Sequence, residues 1–187
     1  MPYFNTPDFS PQFLSKEDAS KKITHTIAPF LFTDQDNKLI TDRTINHKIH
    51  IASFIFTSCG SICPTMIKNL SVVNKKYEKD SNVVFLSFSV TPWIDTPAKL
   101  KDFKNLNKIN NPNWHFLTGK KGEIYKLARK SYFAEEDLGF TRDSTEFLHT
   151  EHIILTDKNK KIRGIYNGTL QTDMEQLIKD IKELKAE

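Results

Sequence analysis

The chain of 187 residues holds two cysteines, and both fall in Cys59-Gly60-Ser61-Ile62-Cys63-Pro64. Thiolates are soft ligands and good nucleophiles. A pair at this spacing can hold a soft metal, form a disulfide, or do both in turn. Cysteines four apart at the opening of a helix face one side of it. Backbone N–H groups and the helix dipole at such an end stabilise negative charge, so lowered thiol pKa values are expected there.

Two thiolates around a monovalent copper ion carry net negative charge, which that position favours. Reduced copper accepts thiolate and imidazole at low coordination number. Zinc generally takes four ligands and would need two more, such as His149 and His152. The bland alternatives are a structural bridge or two small buried side chains.

Six histidines could add a nitrogen donor. His25, His47, His50 and His115 fall in hairpin or strand contexts and read as structural or surface residues. His152 opens the apolar run Glu151-His-Ile-Ile-Leu-Thr156, so a core strand would fix its place. If that strand lies beside the one leading to the cysteines, its leading end approaches the thiols, and His152 is the candidate third ligand. His149 is the weaker candidate and reads as an exposed loop residue.

The elements that must position these groups follow from hydrophobic patterning. Residues 1–22 carry Pro2, Pro7 and Pro11 and read as an irregular arm or tether remnant; residues 23–187 read as one domain. Two apolar stretches around Asp34-Gln-Asp-Asn-Lys38 predict a hairpin. His50 to Thr57 has the uncharged, Ile- and Phe-rich character of a strand buried on both faces. Met66, Leu70, Val73 and Tyr77 recur at helical spacing after Pro64. Asn82–Val90 is a second interior strand. Thr96-Pro97 starts a helix with Leu100, Phe103 and Leu106 on its apolar face. A short strand at 114–117, a helix at 120–130, strands at 151–156 and 161–166 and an amphipathic helix at 170–184 follow. The stretch 132–148 lacks periodicity, and its length marks it as a functional loop able to move His152 on and off a metal.

This order predicts an α/β fold: a central mixed sheet flanked by helices, with an N-terminal hairpin extension. It resembles the thioredoxin-like arrangement. The cysteine turn then lies at the carboxyl end of a central strand, where open α/β sheets place their sites. Redox thioredoxins separate their cysteines by two residues and carry a proline before the strand corresponding to Glu151–Thr156. Here three residues intervene, and the last of the eight prolines is Pro112. Both departures weigh against pure thiol exchange.

Composition sets the remaining bounds. A hydrophobic fraction of 38% with 14 phenylalanines supports a packed core. The net charge of +4 comes from lysines spread along the chain, so a nucleic-acid partner is not expected. No apolar run is long enough to span a bilayer, and the first residues lack the features of a signal peptide.

Three blocks carry a family resemblance. Phe56-Thr-Ser-Cys-Gly-Ser-Ile-Cys-Pro64, Ser89-Val-Thr-Pro-Trp-Ile-Asp-Thr-Pro97 and Glu151-His152-Ile-Ile-Leu resemble, in order and spacing, those of the Sco (SCO1/SenC) family. The resemblance runs from about Ile27 to the C-terminal helix. It implies a thioredoxin-like copper protein that matures the binuclear copper centre of cytochrome c oxidase, with Cys59, Cys63 and His152 as ligands. The cargo is copper as Cu(I), with Cu(II) left open. The implied partner is the copper-accepting oxidase subunit or another copper chaperone. The implied location is the periplasm or the outer face of the inner membrane, with a membrane tether absent from this chain. Two departures stand out: Thr91 replaces the family's first acid in the second block, whose second acid is Asp95, and Glu151 replaces Asp before the histidine. Asp95 reads equally as a helix-start acid and as a functional one. A metallochaperone is the leading reading. A thiol–disulfide reductase using Cys59 and Cys63, keeping the partner's cysteines reduced, is the alternative, and a peroxidase comes third.

Overall fold

The computed structural model describes residues 1–60, 62–135, 148 and 150–187. The chain begins with β1 (Tyr3–Phe4), β2 (Pro11–Gln12) and α1 (Lys16–Lys22). The hairpin β3 (Leu31–Asp34) and β4 (Leu39–Thr41) leads through a 3-10 turn at Asp42–Ile45 to β5 (Ile49–Ile55). Then come α2 (Ile62–Tyr77), β6 (Val83–Ser89), α3 (Pro97–Leu106), β7 (Trp114–Thr118) and α4 (Lys121–Lys130). The strands β8 (His152–Thr156) and β9 (Ile162–Asn167) and the helix α5 (Gln171–Ala186) complete the described elements.

The strands form one mixed sheet in the order β2-β1-β9-β8-β5-β6-β7-β3-β4. β5, β6 and β7 run parallel, and β8 joins β5 antiparallel. Every residue of β5 and β6 is buried, which explains their uncharged, near-continuous apolar sequences. Ile49, Ile51 and Ile55 of β5 pack with Met66, Leu70 and Val73 of α2 and with Leu177 and Ile181 of α5. Ala52 and Phe54 face the other way, into a cluster holding Ile124, Leu127 and Ala128 of α4. Alternate side chains of one strand thus fill two cores. The result is the thioredoxin-like mixed sheet with helices on both faces. No helix among the described residues is long and apolar enough to cross a membrane.

Two expectations change. The N-terminal stretch is not irregular throughout: β1 pairs with β2 and with β9, and Ser15 caps α1 by accepting the Asp18 N–H. Leu106 does not belong to the buried face of α3; it is 81% exposed, and Ile109, beyond the helix end, joins the core instead. The Thr96 cap and Pro97 start of α3 are as predicted, with the Thr96 side chain accepting from Lys99 N. Most of the 132–148 stretch lies outside the described residues, as does His149.

Candidate metal centre

β5 delivers the chain to the carboxyl edge of the sheet, and α2 carries it away. Between them the Cys59 N–H donates to the Phe56 carbonyl at 3.1 Å, which curls the turn. Cys63 lies in the first turn of α2 and is buried, whereas Cys59 is half-buried. Neither is in a disulfide, and their side chains are hydrogen-bonded to each other. Burial pushes the Cys63 thiol up to about 11, opposed by a backbone hydrogen bond at Phe56 and assisted by the neighbouring Cys59 and Asp95. The expected lowering at the helix end therefore fails at Cys63, because loss of water outweighs the favourable helix terminus.

Asp95 is fully buried beside this turn. Its carboxylate accepts hydrogen bonds from the hydroxyls of Ser89 at 2.7 Å, Thr91 at 2.9 Å and Thr57, and Lys99 Nζ stands 3.7 Å away. Lys99 Nζ also donates to Ser58 Oγ at 2.9 Å. Asp95 is thus a buried acid at the start of α3 whose carboxylate is taken up by hydroxyl donors. It joins the turn before the cysteines to the β6–α3 connection, an arrangement with its bonding capacity well used. Thr91 is part of the same network, and its hydroxyl supplies a donor. A second acid at 91 would instead set like charge against Asp95.

His152 opens β8. The register pairs Ala52 with Ile154, so His152, two residues earlier on β8, lies toward the end of β5 that leads to the cysteines. Its ring Nδ1 lies 2.9 Å from the Ala134 carbonyl. A carbonyl only accepts, so Nδ1 carries the proton and Nε2 keeps its lone pair. Thr150 Oγ1 donates to the same carbonyl at 2.6 Å and accepts the His152 N–H at 3.1 Å. The Phe9 ring meets the imidazole edge-on, with centroids 5.1 Å apart.

Strand alternation puts His152 on the side of Ile154, the α4 side, while Ile153 and Leu155 face α2 and α5. The two thiols are together, but the imidazole does not join them: among the described residues no three His, Cys, Asp or Glu side chains are grouped so as to hold a metal. The other described histidines have different partners. His50 contacts Tyr132 and Thr156, His115 contacts Asp34, and His25 stacks on Phe133. His47 is exposed. Sequence reasoning did not find Ala134, Thr150 or Phe9 at His152, nor Thr57 and Ser89 at Asp95. A backbone carbonyl, an aromatic ring distant in sequence and nearby hydroxyls of common residue types leave no distinctive residue-type signal.

Comparison with known proteins agrees with this architecture. The SCO1/SenC family model matches residues 18–186. The SCO1 protein homolog of Bacillus subtilis (strain 168) is 32% identical over 162 residues, which cover 86% of this chain and 83% of that protein. The solved structure of BsSco, a member of the Sco family of cytochrome c oxidase assembly proteins in which a disulfide switch was identified, superposes with a TM-score of 0.73. It is 31% identical and covers 87% of this chain and 94% of its own. ScoI of Bradyrhizobium japonicum, solved with copper bound, gives a TM-score of 0.66 at 29% identity, covering 85% of this chain and 99% of its own. With the match spanning nearly its whole length, and with the fold in agreement, this chain belongs to the SCO1/SenC family.

Proposed function

We propose that this protein is a copper metallochaperone in the assembly of the binuclear copper centre of cytochrome c oxidase, with Cys59, Cys63 and His152 as its copper ligands. One observation carries the reading: two thiols hydrogen-bonded to each other follow the central strand, while the adjacent strand opens on an imidazole whose Nδ1 is taken by the Ala134 carbonyl, which points to Nε2 as the ligand nitrogen. Two soft sulfurs and one imidazole suit Cu(I) at low coordination number. The copper-bound relative and the oxidase-assembly relative support the same cargo and destination.

Copper is the cargo here rather than a resident cofactor. Cys63 is a thiol at neutral pH, so its engagement with copper releases its proton. Few ligands hold the ion, and an incoming donor set can displace them one at a time. The acceptor would be the copper-binding oxidase subunit or another chaperone, met in the periplasm or at the outer face of the inner membrane. X-ray absorption of the Cu(I)-loaded, reduced protein tests the ligand set. Two sulfur scatterers and one imidazole nitrogen are expected, and a shell of sulfur alone removes His152.

The contact between the thiols also favours a second reading, thiol–disulfide exchange with the cysteines of the partner. The half-buried Cys59 would attack and Cys63 would resolve, and His152 would be dispensable. Measured exchange with a partner disulfide that persists in His152→Ala supports this reading over metal delivery.

A further inference from the structure

We propose that Phe9 is a positioning residue that holds His152 away from the cysteines, so that the N-terminal hairpin acts as an aromatic latch on the third copper ligand; this rests on the copper reading above. β1 and β2 pair with each other, and the connection between them carries Phe9. Asp8 shapes that connection, its carboxylate accepting from Thr6 Oγ1 at 2.6 Å and from Ser10 Oγ at 2.9 Å. The turn presents Phe9 with φ 57°, a left-handed conformation unusual for a bulky side chain. Such backbone persists where surrounding contacts enforce it, and it concentrates at clamps and switches. Here the enforced side chain is half-buried against the α4-side core and meets the His152 ring edge-on at 5.1 Å.

The opposite side of the histidine is built in the same way. Phe133, next to Ala134, has φ 50° and stacks on His25 with centroids 4.1 Å apart. The His25 ring Nε2 bonds the Ser131 carbonyl at 2.8 Å, and its backbone N–H donates to Asn5 Oδ1 at 2.9 Å. Asn5 and Phe9 both lie in the hairpin connection. The hairpin therefore touches His152 directly through Phe9 and through the chain Asn5, His25, Phe133, Ala134. Its root is fastened independently: Arg163 donates to the carbonyls of Met1 and Pro2.

In this arrangement the imidazole is held by Ala134 at Nδ1 and by the Phe9 ring, and it is not grouped with the thiols. Contacts made only in the metal-free state oppose metal binding. Removing Phe9 therefore strengthens copper binding. An edge-to-face aromatic pair corresponds to a factor of about 2 to 12 in an equilibrium constant. Phe9 precedes the residues matched by the family model, so the latch is read from this chain alone.

The test compares wild type, Phe9→Ala, Phe9→Tyr, His152→Ala and the Phe9→Ala/His152→Ala double variant. In reduced, metal-free protein, long-range proton–nitrogen NMR reads the His152 tautomer. The wild type is expected to show the Nδ1–H form, with the Nε2–H form rising in Phe9→Ala and Phe9→Tyr restoring the wild-type signal. Anaerobic competition for Cu(I) against bathocuproine disulfonate is expected to show Phe9→Ala binding about 2- to 12-fold more tightly than wild type. That gain should vanish in the His152→Ala background. An unchanged tautomer signal, or unchanged or weaker Cu(I) binding in Phe9→Ala, overturns the latch. If His152→Ala binds Cu(I) like wild type while the Phe9→Ala tautomer shift is present, the copper reading fails and the contact between Phe9 and His152 stands.

Discussion

His50 makes the strand pairing behind the candidate site sensitive to acid. It lies fully buried in β5, paired with Thr156 of β8. Thr156 Oγ1 donates to the His50 carbonyl at 3.1 Å and accepts from ring Nδ1, so Nδ1 carries the proton and Nε2 accepts from the Tyr132 hydroxyl at 3.1 Å. Protonating Nε2 would reverse that last bond and place a charge in the core. Burial, assisted by the charge of Lys160, pushes the imidazole down to about 3 from its ordinary 6.5. The folded value lies below the unfolded one, so the unfolded chain takes up the proton first. This contribution to stability is complete above the unfolded value and is lost as pH falls toward the folded one. Between about pH 7 and about pH 5 the loss amounts to about 2 kcal/mol. Urea unfolding of metal-free protein at both pH values, in wild type and in His50→Gln, isolates the effect. The variant is less stable at neutral pH, but its loss on acidification should be smaller than that of wild type by about 2 kcal/mol. Equal losses in the two proteins, or a signal assigned to His50 that titrates near 6.5 in the folded wild type, would refute the reasoning.

Other perturbations reach the site more directly. Asp95→Ala strands the hydroxyls of Thr57, Ser89 and Thr91 and should cost about 3 kcal/mol in denaturant unfolding. An alanine variant as stable as wild type would show that the network does not brace the cysteine turn. At neutral pH the reduced protein should be alkylated first at Cys59, as read by peptide mass spectrometry. The Cys63 value of about 11, against an ordinary 9.0, leaves about 100-fold less thiolate, and burial slows reaction further. Equal labelling of both thiols contradicts that assignment.

Much of the frame is written in the sequence because it rests on burial. Ile49–Ile55 and Val83–Ser89 are buried on both faces, and their unbroken apolar runs say so. The stripe of Met66, Leu70, Val73 and Tyr77 lies in the core as its helical spacing predicts. The helix start at Thr96-Pro97 is a local signal and is found where expected. Features set by tertiary contact are less legible. Leu106 has the right spacing for the core but falls at the end of α3, where Ile109 takes the place. β1 and β2 have two residues each, too few for any period. The Nδ1 bond of His152 goes to a backbone carbonyl, which any residue could supply. Thr91 reads in sequence as the loss of an acid, but in the fold it is one of the donors that satisfy Asp95.

The central claim is that His152 completes a copper site begun by Cys59 and Cys63. Anaerobic competition between the reduced protein and a chromophoric Cu(I) chelator, in wild type and His152→Ala, measures it directly. The account predicts one Cu(I) per wild-type chain and an affinity at least about 10-fold weaker in the variant. Equal stoichiometry and equal affinity in the two proteins would contradict it.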